Sequence, residues 1–164
     1  MAKRNEIIIL GIDPGYDRLG VAIIKKSQPR DEVLFSDCLQ TNAKDEYADR
    51  LVSLGNELEK ILGKWQPTES AIEKLYFTVN QKTAMKVAGA IGLISYLIKK
   101  RNIPLAEYTP LQIKSCVTGF GGANKNQITS LIPRLVKIDK TIKYDDEFDA
   151  IAVAITHSVL NKNL

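Results

Sequence analysis

Asp13, Glu73, Asp146 and Asp149 each adjoin a run of apolar residues instead of lying on a polar face. Asp13 ends Ile7-Ile8-Ile9-Leu10-Gly11-Ile12, and Glu73 follows Ala71-Ile72. Asp146 and Asp149 open a stretch that continues Ala150-Ile151-Ala152-Val153-Ala154-Ile155. An isolated ionised carboxylate is too costly to desolvate, so buried acids are paired, protonated or metal-bound. Four brought together would therefore imply a divalent cation. Oxygen ligands in this number favour Mg²⁺ or Mn²⁺ over zinc. Two such ions ~4 Å apart can stabilise both the attacking and the leaving oxygen in phosphodiester hydrolysis, with no histidine or serine nucleophile.

A plainer reading competes at the last helix. Asp145, Asp146 and Glu147 also suit the positive end of a helix dipole, at ~0.3 to 1 kcal/mol each. That explains the first three acids and does not require Asp149, one turn further in. The helix alone leaves dipole compensation and cation binding both open. Asp13 and Glu73 tip the balance to metal, because strands at 6–13 and 70–75 can lie side by side. His157, the sole histidine, lies eleven residues beyond Asp146, about 16 Å along a helix. It cannot share an ion with Asp146 and is expected to be structural or on the surface.

The elements that must position these acids are legible in the pattern. Residues 6–13 read as a central strand stopped by Pro14-Gly15, and 20–26 and 33–41 as strands of an antiparallel meander. Residues 45–64 place Tyr47, Leu51, Leu54, Leu58, Ile61 and Leu62 at helical steps. A buried strand at 70–75 precedes a helix over 81–100, and a fifth strand follows at 104–108. Thr109-Pro110 starts the next helix by N-cap and first-turn proline. Gly119-Phe120-Gly121-Gly122 breaks the chain before a helix at 124–136, and the last helix runs over 146–160. This order predicts an α/β fold, one mixed five-stranded sheet with helices on both faces. One domain over residues 1–164 is expected.

Composition narrows the partners. No stretch approaches the ~20 apolar residues of a membrane span, and the first residues lack a signal peptide's apolar region, so a cytoplasmic protein is expected. Cys38 and Cys116 suggest free thiols. Setting aside the acids at 145, 146, 147 and 149 leaves 15 acids against 23 Lys and Arg. Such a balance suits either a polyanion or ordinary solubilising lysine.

Taken in order, Ile8-Ile9-Leu10-Gly11-Ile12-Asp13-Pro14-Gly15, Ala71-Ile72-Glu73, Gln112-Ile113-Lys114, Lys125-Asn126-Gln127 and Asp146 with Asp149 through His157 resemble the RuvC family of Holliday-junction resolvases. The resemblance covers nearly the whole chain. It implies an RNase H-like fold and a homodimer that nicks two opposed strands of a four-way DNA junction. It further implies Mg²⁺, two per site with Mn²⁺ able to substitute, held by Asp13, Glu73, Asp146 and Asp149. Lys114 and Lys125 fall where the family handles phosphate near the cut. Tyr76 and Phe77 fall where the family places an aromatic residue after the glutamate, and Tyr76 is favoured to stack on unpaired bases. A branch-migration complex is a further partner the family suggests.

Two departures accompany the likeness. Gly89-Ala90-Ile91-Gly92 stands where the family commonly has Gln-Ala-Arg-Gly, and the tail after the last helix is short. DNA affinity or sequence choice is expected to shift accordingly. The same glycines fit sheet packing and a dimer seam equally. Rival readings are another RNase H-like nuclease acting on hybrids or flaps, a non-catalytic junction-binding module, and a nucleotide-clamping ATPase, for which the chain is short.

Overall fold

The computed structural model describes residues 6–75 and 81–161. The first apolar run becomes strand β1 (Ile8–Asp13), and short turns return the chain as β2 (Arg18–Lys25) and β3 (Glu32–Gln40). Both pairings are antiparallel, with Asp13 opposite Gly20 and Gly20 opposite Cys38. Helix α1 (Tyr47–Trp65) leads to β4 (Glu69–Glu73), parallel to β1. Helix α2 (Gln81–Lys100) leads to β5 (Leu105–Tyr108), parallel to β4. Helices α3 (Pro110–Thr118) and α4 (Lys125–Leu135) open with capping boxes, Thr109 with Gln112 and Asn124 with Gln127. These boxes satisfy amide donors that a helix start otherwise leaves open. Helix α5 (Asp145–Leu160) follows.

The sheet has six strands among the described residues, ordered β5-β4-β1-β2-β3-β6, where five were expected. The addition is β6 (Lys137–Ile138), parallel to Glu32 and Val33 at the edge. Two residues are too few to display the two-residue alternation by which a strand is recognised.

Alternation along the strands divides the core into two layers. Leu10, Ile12, Val21, Ile23 and Ile72 pack under α1 and α2, while Ile9, Ala22, Ile24 and Ala71 pack under α3, α4 and α5. Helix α5 is buried from Ala150 to Ser158, as a helix apolar nearly all round must be. It lies unusually close to the sheet. A Cβ on Gly11 would fall 2.3 Å from the Ala150 carbonyl oxygen, and one on Gly20 would fall 2.2 Å from that of Asp146. Bare backbone at these two positions lets the helix rest on the strands.

The α2 glycines behave differently from one another. A Cβ on Gly89 would fall 2.1 Å from the Tyr47 hydroxyl, whereas one on Gly92 would meet no packed neighbour within 4 Å. Cys38 and Cys116 are free thiols. No helix among the described residues is long and apolar enough to cross a membrane.

Candidate active site

Asp13 and Glu73 close neighbouring parallel strands. The register Ile12 to Ile72 sets them side by side, and alternation turns both toward α5 together with Gly11 and Ala71. The carboxyl ends of parallel strands are where open α/β sheets usually bind their ligands. From above, the close seat of α5 on Gly20 brings Asp146 and Asp149 to the same edge.

Electrostatics records this convergence. Burial, then the charges of Glu73, Asp149 and Asp146, push the Asp13 carboxyl up to about 8, with Lys125 opposing. Burial and Asp149 raise Glu73, against a hydrogen bond to Asp13 and the charges of Lys114 and Lys125. Burial also raises Asp149, opposed by Lys125 and assisted by Asp146 and Asp145. Buried like charges are the arrangement that favours proton retention.

The two helical acids carry internal cations. Lys125 Nζ lies 3.1 Å from Asp149 Oδ2 and 3.4 Å from Asp145 Oδ2. Asp146 is paired with Arg18 at the start of β2, whose guanidinium also lies 5.4 Å from the Tyr144 ring centroid. Among the described residues, no three acid, imidazole or thiol groups stand close enough to grip an ion as they are. The donor set nevertheless fits a hard divalent cation. It is all oxygen, burial and neighbouring acids raise Asp13, Glu73 and Asp149 toward the protonated form, and two of its members already hold cationic groups. Asp13, Glu73, Asp146 and Asp149 are the residues that would hold such an ion.

Lys114 and Lys125 line one cleft of about 190 Å³ with Glu73 and Asp149, over Ile113 and Ile128. The structure thus places both lysines beside the acids. Tyr76 and Phe77 lie outside the described residues.

Two residues here escaped the sequence reading. Arg18 follows a turn and has no pattern that pairs it with an acid 128 positions away. Glu147, read among the acids that suit the helix dipole, is 1% exposed. Its Oε1 accepts from the Lys143 and Tyr144 amides at 3.0 and 3.2 Å, and its Oε2 from Ser36 Oγ and Lys140 Nζ at 2.6 Å each. Burial would raise its pKa, but Lys140, Ser36 and the Lys143 amide outweigh that and lower it. Glu147 ties α5 to β3 and stands apart from the four-acid cluster. The Ser-to-Glu reach across the sheet could not be read from local spacing. His157 is buried, with Nδ1 3.0 Å from the Tyr108 hydroxyl and Nε2 3.3 Å from Glu69 Oε2.

A family profile described as crossover junction endodeoxyribonuclease RuvC matches residues 9–157. A protein of that name from Petrotoga mobilis is 42% identical over 92% of this chain and 93% of its own length. Another of that name, from Ruminiclostridium cellulolyticum, is 39% identical over 92% and 91% respectively. In structure, T. thermophilus RuvC in complex with Holliday junction substrate superposes with a TM-score of 0.88 at 23% identity, covering 96% of each chain. The Fowlpox virus resolvase bound to substrate Holliday junction DNA superposes at 0.61 with 13% identity, covering 92% of this chain and 97% of its own. These structural likenesses establish the shared fold.

Proposed function

The chain belongs to the RuvC family of crossover junction endodeoxyribonucleases, and from that premise we propose that it is a metal-dependent endonuclease that resolves four-way DNA junctions by paired nicks. The observation that carries the proposal is Asp13, held protonated up to about 8 by burial among three further acids. Such a cluster costs stability unless a cation joins it. Pure DNA binding gains nothing from acids facing phosphate.

Asp13 and Asp149 would anchor the metal ions, preferably Mg²⁺ with Mn²⁺ as substitute. Glu73 would ligate an ion or orient the attacking water, and Asp146 would complete a second position. Once bound, such ions would supply Lewis-acid charge at the scissile phosphate and the means to ionise water near neutral pH. Lys114 and Lys125 face the same cleft and neutralise phosphate charge. Lys125 is 52% exposed, so its long side chain is free to turn from Asp149 to an incoming strand.

Two symmetric nicks require two sites, hence a homodimer. An exposed face of α2, with Met85 and Tyr96 flanking the small Ala88 and Gly92, supports that assembly, because exposed apolar side chains around small residues favour a covering surface. A branch-migration motor is the further partner proposed.

The test is cleavage of a synthetic four-way junction, with Mg²⁺ and with chelator, mapping every nick against a plain duplex and an RNA–DNA hybrid. Metal-dependent nicks at symmetric positions on opposed strands are expected. Equal cutting of hybrid or duplex would reject junction resolution.

A further inference from the structure

Helices α3 and α4, which bring Lys114 and Lys125 to the cleft, are joined by a loop whose most exposed large side chain has no assigned role. Phe120 is 66% exposed, and Leu111, on the first turn of α3, is 63% exposed. Leu111 precedes Lys114 by three residues, so the two are neighbours on one helix face. Lys125 follows Phe120 by five residues and opens α4.

The loop is built to present the ring. Gly119 takes φ +75°, which favours glycine. Thr118 Oγ1 accepts from the Phe120 amide at 3.1 Å and lies within donating distance of Lys114 O at 2.8 Å and Phe120 O at 2.9 Å. The Ala123 amide donates to Phe120 O at 3.2 Å. A Cβ at Gly122 would fall 2.6 Å from Phe120 Cζ, and one at Gly121 2.3 Å from Leu111 Cδ1. The two adjacent glycines therefore let the ring lie on Gly122 and the leucine on Gly121, an apolar ledge on the loop backbone. Both ends are anchored by the capped helices α3 and α4.

We propose that Phe120, seated on the loop next to Leu111 between Lys114 and Lys125, is a stacking platform for an unpaired nucleobase at the junction crossover. The charge of the two lysines selects a polyanion, and the bases are the apolar part of that polyanion. A phenyl face accepts any base, which suits recognition of branch structure over sequence. The ledge has this role only if the chain acts on junction DNA, as proposed above.

The test uses the full chain, chelator to prevent cutting, and a four-way junction carrying 2-aminopurine at each crossover position in turn. Wild-type protein and Phe120→Trp should quench the fluorophore at one position that depends on residue 120, separate from any that Tyr76 occupies. Phe120→Ala and Phe120→Leu should not quench it, and Phe120→Ala should bind the junction about 5- to 100-fold more weakly with an unaltered salt slope and unaltered duplex affinity. Full quenching and affinity in Phe120→Ala would overturn the platform while leaving junction resolution standing. So would restoration by Phe120→Leu, which keeps apolar area without a π face. A change in self-association with Phe120→Ala would instead assign the ring to contact between two copies of the chain. Failure of the wild-type protein to prefer junction over duplex would reject both readings.

Discussion

Strand β4 presents two glutamates to α5, four residues apart on one face, and the two meet opposite company. At the C-terminal end of α5, Glu69 meets His157, which in turn meets the Tyr108 hydroxyl. At the N-terminal end, Glu73 meets Asp13 and Asp149. One end is complementary, a carboxylate facing an imidazole and a phenol. The other crowds acids onto a cleft, leaving a deficit of positive charge that Lys114, Lys125 and Arg18 only partly offset. Burial beside complementary groups makes a joint; burial beside like charges makes a site.

Substitutions at the two ends should therefore separate activity from stability. The largest effect is expected from Asp13→Asn or Asp149→Asn. Single-turnover junction cleavage in Mg²⁺ should fall on the order of 10³-fold, the several kcal/mol a metal contributes to the transition state. Without metal, Asp13→Asn should melt no lower than wild type near neutral pH, since a neutral amide spares the cost of keeping a buried carboxyl protonated well above its ordinary value. Unchanged cleavage would dissolve the distinction between the ends.

The converse holds for His157→Gln, which breaks a buried joint. Melting should show a loss of about 1 to 3 kcal/mol, with cleavage at permissive temperature within a few-fold of wild type. A loss of cleavage at full stability would transfer His157 to the chemistry.

The pH dependence sharpens the contrast. Asp13 rises from 3.8 to about 8 on folding, so between these values the folded state binds more protons, and stability falls as pH rises. Burial lowers His157 from 6.5, with Glu69 opposing and Lys26 assisting, so its contribution is complete above about 6.5. From there to about pH 8, metal-free protein should lose roughly 1 kcal/mol per pH unit. Denaturant titrations with chelator read this slope, and added Mg²⁺ should flatten or reverse it. A metal-free slope of zero would place Asp13 outside the cluster.

Smaller changes are expected at the cations. Lys114→Ala should reduce the slope of log affinity against log salt by about 0.9, one phosphate contact. An unchanged slope removes that residue from the DNA contacts. Arg18→Gln should tighten Mg²⁺ binding only slightly, read by calorimetry, because the Arg18 guanidinium that competes for Asp146 is well exposed to solvent. Weaker Mg²⁺ binding would show that Arg18 positions Asp146 for the metal.

Much of this was legible in the chain. The apolar run that ends at Asp13, the helical steps of α1, the Thr109 cap and the three-residue spacing of Asp146 and Asp149 are local signals, and each lies where the pattern placed it. The unread features depend on distance or brevity. The two-residue β6 offers no period, Arg18 finds its acid only after folding, and Glu147 differs from its neighbours solely by the Ser36 and Lys140 that surround it. Gly11 and Gly20 looked like ordinary strand residues, although the seat of α5 depends on both.

That seat also orders events during synthesis. Half of the acid cluster lies in β1 and β4, and the other half waits on a helix that begins at Asp145. A nascent chain that has not yet emitted α5 carries Asp13 and Glu73 without Asp146 and Asp149. On the four-acid reading proposed above, it would have no complete metal site until that helix had been made and had docked.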